Sequence, residues 1–246
     1  MRWIYLSPHF DDAVLSCGGL IHAQAQQGLT VEIWTLFGGE PPAGPLSDFA
    51  RQIHDLWGTG DGPQTVALRK EEDLAAAARL GAETVHFDFL DCIYRRAPDG
   101  APLYSQSVFV APHPLDAGLP ERLAAALASE LLAEDALVCP LALGGHVDHL
   151  LARAAVERLG RPLRYYADIP YLVNYPESLP AASAGLEREC FPLTEADLRA
   201  WQEAAAAYAS QIGSLLKVEA SLAQVLQDYW REQGGLCLWR PGRRAG

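Results

Sequence analysis

Short apolar runs alternate along the chain with alanine-rich stretches in which apolar residues recur every three or four positions. That alternation predicts parallel strands joined by crossover helices, an α/β class. Residues 2–6 (RWIYL) read as a first strand, 12–27 as a helix ended by Gly28, and 30–37 (TVEIWTLF) as a second strand, together one βαβ unit. The segment 38–48 (GGEPPAGPLSD) is too rich in Gly and Pro for either element and reads as a loop, with a short helix at 48–57. A helix at 69–80 stopped by Gly81, a strand near 84–90 and a polar, proline-bearing excursion over 91–119 come next. A helix at 120–133 precedes the strand 136–143 (ALVCPLAL), which feeds a helix starting near His146. The pattern ends with a strand at 163–169, an irregular stretch, one long helix at 194–216 and a tail, RPGRRAG, that reads as frayed. The expected fold is Rossmann-like, a mostly parallel sheet with helices on both faces. No repeat, low-complexity tract or linker divides it, so residues 1–246 are expected to form a single domain.

Composition narrows the function. Half of the 246 residues are hydrophobic, enough for a sizeable core. The formal charge of -12 repels phosphate backbones and anionic bilayers, so neither nucleic acid nor a membrane surface is an expected partner. The opening MRWIYLSPHFDD places a proline and two aspartates where an export signal needs its apolar run, and no stretch approaches the roughly 20 apolar residues of a membrane helix. Cys17, Cys92, Cys139, Cys190 and Cys237 are scattered without a C-x-x-C pair. They read as reduced thiols packed as small hydrophobes, and the expected compartment is the cytoplasm. A homo-oligomer is compatible with this composition, as is a monomer.

Two clusters carry the chemistry. Ser7-Pro8-His9-Phe10-Asp11-Asp12 lies where the first strand gives way to the first helix, the edge at which open α/β sheets build their sites. A His and a carboxylate three apart across such a turn can converge on one point, with the second carboxylate facing a bound water. Gly144-Gly145-His146-Val147-Asp148-His149 lies at a second strand-to-helix junction, and His146 and His149 share a face on a helical turn. Both junctions fall on the same edge of the sheet. Imidazole and carboxylate donors without a nearby thiolate suit zinc, and also iron(II) or cobalt, better than magnesium or calcium. Three protein ligands would leave one position for a water acidified to a pKa of roughly 7.

These residues resemble a known family. The S-P-H-F-D-D-A run followed by G-G-H-V-D-H is similar to the signatures of the LmbE-like (PIG-L type) N-acetylglucosaminyl deacetylases. Arg69-Lys70-Glu71-Glu72, Asp168-Ile169-Pro170-Tyr171 and Tyr208-Ala209-Ser210-Gln211 resemble further family segments. Phe10 stands where the family commonly has proline. The resemblance implies that His9, Asp12 and His149 hold the zinc and that Asp11 is the base that takes a proton from the metal's water. It further implies that His146 stabilises the oxyanion or protonates the leaving amine, with Asp148 fixing its tautomer. The residues alone do not decide between His146 and His149 as ligand. Arg69, Asp91 and Tyr171 become candidate substrate contacts. The implied reaction is hydrolysis of the acetamide of a small-molecule N-acetylated amino sugar or a glycoconjugate. Removal of a larger acyl group, cleavage of a thiol conjugate, or sugar binding without turnover are the alternatives.

Plainer readings exist for each cluster. Aspartates before a helix often accept its first free amides, yet a cap needs only one of them and no histidine. A polar helix start after Gly-Gly explains the second cluster by itself, but less well beside the first. Arg69 at a helix start would ordinarily be solvated, and Asp91 and Tyr171 could merely cap turns. His22, His54, His86 and His113 belong to no constellation. Gly18-Gly19 lacks the G-x-G-x-x-G context of a dinucleotide site. The paired aspartates lack the D-x-D spacing of an aspartyl phosphatase.

Overall fold

The computed structural model describes residues 1–218 and 220–242, so the frayed tail expected at the end of the chain lies largely outside the described residues. In chain order the elements are β1 (Arg2–Ser7), α1 (Asp12–Gln26), β2 (Thr30–Thr35), α2 (Asp48–Trp57), α3 (Gly62–Leu80) and β3 (Glu83–His86). Then come α4 (Leu119–Glu130), β4 (Ala136–Pro140), α5 (Val147–Glu157), β5 (Leu163–Tyr166), α6 (Ile169–Asn174) and α7 (Leu179–Ala182). The last elements are β6 (Leu186–Pro192), α8 (Glu195–Ala205), α9 (Ala209–Leu215), α10 (Leu222–Gln233) and β7 (Gly235–Pro241).

The strands form one sheet in the order β3-β2-β1-β4-β5-β7-β6. The first five run parallel, and β7 and β6 add an antiparallel edge. From β1 the chain moves through α1 to β2 on one side, whereas β4 returns to the other side of β1. Right-handed crossovers in opposite directions put α1 and α3, which touch each other, on one face and the contacting pair α4 and α5 on the other. Strand order therefore reverses between β1 and β4. The crevice above their carboxyl ends is the place where such sheets hold ligands.

Several boundaries differ from the sequence reading for identifiable reasons. Helix α3 begins at Gly62, ahead of the expected 69, because the Asp61 side chain accepts the Gln64 amide at 2.9 Å and Pro63 fits the first turn. The Gly62-Pro63 dipeptide is thus a helix start. The single helix expected over 194–216 is broken at Tyr208, which turns inward, is fully buried, and donates its hydroxyl to Asp73 at 2.7 Å. Helix α9 restarts with its Ser210 amide and hydroxyl both bonded to Glu72 of α3, at 2.8 and 2.6 Å. Strands β3, β4 and β5 stop at His86, Pro140 and Tyr166, before the expected 90, 143 and 169. After β4 the chain turns through Ala142 at φ 60, and after β5 Pro170 opens α6. The antiparallel β6–β7 pair was absent from the sequence reading, as was α10.

That strand pair also corrects the reading of the cysteines. Cys190 and Cys237 are register partners on β6 and β7 and form a disulfide, so they are not free thiols. Cys17, Cys92 and Cys139 are free and buried, as small hydrophobes. Gly18 and Gly19 have a packing role. A Cβ on Gly19 would stand 2.7 Å from Leu193 and 3.0 Å from Trp201, which lies across both glycines. Trp201 is itself fully buried, with its indole N–H on the Val14 and Leu15 carbonyls. No described helix is long and apolar enough to cross a membrane.

Candidate metal centre

The turn after β1 is tied internally. The Ser7 hydroxyl accepts the Ala13 amide at 3.0 Å, and the Asp12 carboxylate accepts the His9 amide at 2.8 Å. This folds His9 and Asp12 toward each other, with His9 Nδ1 3.2 Å from Asp12 Oδ2. After β4 the chain passes through Gly144 and Gly145, both at positive φ (72° and 73°), and the Gly144 turn lies close against Tyr171 and Tyr175. His146 then caps α5, and His149 projects from its first turn.

The two turns meet. His149 Nε2 lies 3.3 Å from Asp12 Oδ1, and donor atoms of His9, Asp12 and His149 all fall within 4.8 Å of one another. His149 is fully buried, and its Nε2 has no hydrogen-bond partner. A buried ring nitrogen left bare, aimed at a carboxylate and a second imidazole, is what a cation site requires, because an orphaned buried polar atom costs about 1–3 kcal/mol otherwise. The opposite nitrogens are held: Asp168 Oδ1 takes His149 Nδ1 at 2.6 Å, and Asp148 Oδ2 takes His9 Nε2 at 3.1 Å. Each candidate ligand imidazole is thus oriented by its own carboxylate, the arrangement that fixes tautomer and raises ligand basicity.

Asp148 accordingly serves a different histidine from the one expected. Its carboxylate binds His9, the Cys92 amide at 2.9 Å and Arg95 at 2.6 Å, and forms no hydrogen bond to the His146 ring. The tautomer of His146 is set instead by the Asp148 backbone, whose N–H donates to His146 Nδ1 at 3.2 Å. A backbone N–H can only donate, so Nδ1 accepts and a neutral His146 carries its proton on Nε2. Burial, with His9 and His149 adding to it, pushes the His146 pKa well below its ordinary value. His146 is therefore a neutral N–H donor, suited to an oxyanion.

The carboxylates divide by environment. Burial raises Asp12, but His149 and His9 outweigh it and hold Asp12 well below the usual range. Burial likewise raises Asp148, and Arg95 with His9 brings it far down. Asp11 goes the other way: burial and the neighbouring Asp12 push it up to about 6 against the pull of Arg69 and His9. Two ionised carboxylates beside a more basic third is the division of labour that a ligand and a proton acceptor need. Burial lowers His149, yet Asp12 and Asp168 together lift it to about 9, and the surrounding aspartates raise His9 also.

The three candidate substrate contacts are all in the cleft. Arg69 is buried, not solvated: it stacks on Trp57 with 4.7 Å to the ring centroid and approaches Asp11 at 3.6 Å and Asp91 at 3.9 Å. Its Nε has no partner. Asp91 accepts the Ile93 amide with one oxygen and faces His9 at 3.7 Å with the other. Tyr171 stands edge-on to His149 with centroids 5.2 Å apart, and burial keeps its phenol protonated. His22, His54 and His86 bond Asp197, Tyr94 and Asp73, outside the site. Sequence reasoning missed Arg95 and the orienting role of Asp168. The signals for Asp168 were its place just past a strand and the family-like Asp168-Ile169-Pro170-Tyr171 segment, and Arg95 gave none. Gln211, Ser214 and Leu215 of α9 also line the cleft, carried there by the break at Tyr208.

The family described as PIG-L, GlcNAc-PI de-N-acetylase, matches residues 4–159, and the chain belongs to it. It is thus a hydrolytic deacetylase by family. Over 194 residues it is 32% identical to a 2'-N-acetylparomamine deacetylase of Niallia circulans, covering 72% of this chain and 70% of the relative. A 2'-N-acetylparomamine deacetylase of Streptomyces fradiae is 31% identical over 176 residues, 69% of this chain and 57% of the relative, so the match spans little more than half of that protein. Among solved structures, a teicoplanin deacetylase in a zinc-inhibited form superposes with a TM-score of 0.86 at 29% identity, covering 99% of this chain and all of that one. The deacetylase of A40926 pseudoaglycone superposes at 0.76 with 30% identity, covering 100% of this chain and 98% of that one.

Proposed function

We propose that this protein is a zinc-dependent N-deacetylase that hydrolyses the acetamide of an N-acetylated amino sugar carried on a larger molecule, with residues 1–246 acting as one catalytic domain. The observation that carries the reading is the bare, buried His149 Nε2 facing Asp12 and His9 at the floor of a cleft that also holds Asp11 and His146. His9, Asp12 and His149 would hold the metal, and iron(II) or cobalt suits the same donors. When bound, zinc supplies a Lewis acid for the amide carbonyl and lowers the pKa of water.

The remaining chemistry belongs to the chain. Asp11 accepts the proton of the attacking water, for which a carboxylate lifted by burial is better matched than a free one. The Nε2 proton of His146 meets the charge that develops on the former carbonyl oxygen. The proton held by Asp11 then passes to the departing amine. Arg69 and Asp91 present a donor and an acceptor to sugar hydroxyls, and Trp57 backs the Arg69 guanidinium.

The relatives support the amino-sugar class: two act on N-acetylparomamine, and others are deacetylases of teicoplanin and of a pseudoaglycone. Chelator-stripped protein is expected to lose acetate release from an N-acetylglucosaminide and to regain it with zinc; turnover that survives stripping overturns the proposal. Asp11→Asn should retain zinc and lose about 10²–10⁴-fold in rate, whereas His149→Ala should lose both. Action in the cytoplasm belongs to this reading, and the Cys190–Cys237 bond weighs against it. Alkylation and mass spectrometry of the protein taken from cells decides the point.

A further inference from the structure

The cleft changes chemistry from floor to mouth. Its carboxylates, Asp11, Asp12 and Asp91, all lie at the metal end. The outer wall is made by Ile53, Leu56 and Trp57 of α2, by Phe109 of the long excursion, and by Tyr175 and Lys217. Leu56 is 67% exposed and Phe109 41%, so large apolar side chains stand open to solvent at the entrance.

Neither side of this mouth is loose. The Val108 carbonyl accepts the Val147 amide at 2.8 Å, which fixes Phe109 edge-on to both His146 and Tyr171 with centroids 5.7 Å apart. Phe109 also lies against Tyr175, centroids 5.9 Å apart, and beside that ring the Lys217 amide donates to Asn174 Oδ1 at 2.9 Å while Asn174 returns a hydrogen bond to the Leu215 carbonyl, also at 2.9 Å. Lys217 lays its ammonium over the Tyr175 ring, 4.4 Å from the centroid, and bonds the Tyr175 hydroxyl. Among the described residues that line the cleft, Lys217 is the one charged group at the mouth, and it is a cation in a chain of net charge -12.

Size decides what reaches it. The cleft encloses about 230 Å³, below the roughly 300–1,000 Å³ of pockets that engulf a whole drug-sized ligand. One sugar unit with its acetamide fills the floor, and the rest of the substrate must lie across the mouth. Among the described lining residues, a polycationic aminoglycoside would meet Lys217 there and no carboxylate to pair with. We propose that the mouth is an aglycone subsite for an apolar or aromatic body bearing a carboxylate, with Phe109 against the body and Lys217 against the carboxylate. The assignment rests on the N-deacetylase reading.

The test is acetate release by the zinc-loaded full chain from three N-acetylglucosaminides: carboxyphenyl, phenyl, and an aminocyclitol. The expected order of kcat/KM is carboxyphenyl, phenyl, aminocyclitol, with the first exceeding the second by roughly two- to fivefold, the size of an exposed ion pair, and converging with it at high salt. Lys217→Glu should bring the carboxyphenyl-to-phenyl ratio below one, and Phe109→Ser should lower kcat/KM for phenyl relative to methyl glycoside. Equal ratios in wild type and Lys217→Glu overturn the subsite. So does faster cleavage of an N-octanoyl than an N-acetyl sugar regardless of aglycone, which would give the apolar wall to the acyl chain. Inactivity on all three glycosides overturns the N-deacetylase reading itself.

Discussion

Asp168 is the residue whose change tests the metal site most directly, because it lies outside the cleft lining and reaches the site through His149. Its two oxygens are both engaged, Oδ1 with His149 Nδ1 at 2.6 Å and Oδ2 with the Leu143 amide at 3.0 Å, and the side chain is 1% exposed. In Asp168→Asn a single carbonyl oxygen remains. It can accept from His149 or from Leu143, and the new amide N–H₂ then faces whichever N–H is left. The shape is preserved while one charge-assisted hydrogen bond is lost and a donor is set against a donor. Loss of such an orienting partner costs 10- to 100-fold in metal affinity as an order of magnitude, which is about 1.4–2.8 kcal/mol.

The assay is zinc competition against a chromophoric chelator at fixed pH, with the melting temperature of the stripped protein measured in parallel. Weaker zinc binding by a folded variant is the expected result. A folded Asp168→Asn protein that binds zinc within twofold of wild type would refute the reasoning, since His149 would then need no outside carboxylate to serve.

Three further outcomes follow from the packing. Arg95→Met leaves Asp148 fully buried without its guanidinium, which should lower stability by about 3–5 kcal/mol in denaturant unfolding; an unchanged midpoint would mean that Asp148 needs no counter-ion. Gly18→Ala gains about 1 kcal/mol of helix propensity, but Trp201 is held against the site by two carbonyls. Overpacking of about 1–3 kcal/mol should win and lower the melting temperature. Burial raises Asp135, but the Arg2 guanidinium and the Leu132 amide hold it below its ordinary value. Its contribution is thus present above the unfolded pKa of about 3.9 and fades as pH falls through the lower folded value. The melting-temperature gap between wild type and Asp135→Asn should be open at pH 6 and close at acid pH.

The sequence exposed whatever is local. The parallel sheet showed because buried strands read as apolar runs, and both ligand clusters showed because each is a contiguous turn at a strand end. Contacts between distant segments stayed hidden. Arg95 is separated from Asp148 by 53 residues, inside an excursion with no periodicity, and nothing in its neighbours marks it as buried. The break at Tyr208 was invisible because AWQEAAAAYASQIGSLL is a good helical sequence; the tertiary bonds to Glu72 and Asp73 override the propensity. The β6–β7 pair escaped because β6, with the sequence LERECFP, lies at the sheet edge with no buried residue, and three helices separate it from β7.

The charges around the site explain why these parts depend on one another. Asp11, Asp12, Asp91, Asp148 and Asp168 are all buried within one region, against the guanidinium groups of Arg69 and Arg95, and Arg95 is shared with Asp116. Carboxylates removed from water need compensation, and beyond the two guanidinium groups it comes from His9 and His149, which the aspartates around them raise. That compensation sits at the point where the carboxylates converge. That point is the gap between His9, Asp12 and His149, and a divalent cation there offsets two charges without adding bulk. Asp168 holds the His149 imidazole directly and Arg95 acts on His9 through Asp148, so both support the ligands that a cation would use. Asp11 is left as the carboxylate with the weakest claim on a counter-charge, and it is the one that faces the substrate.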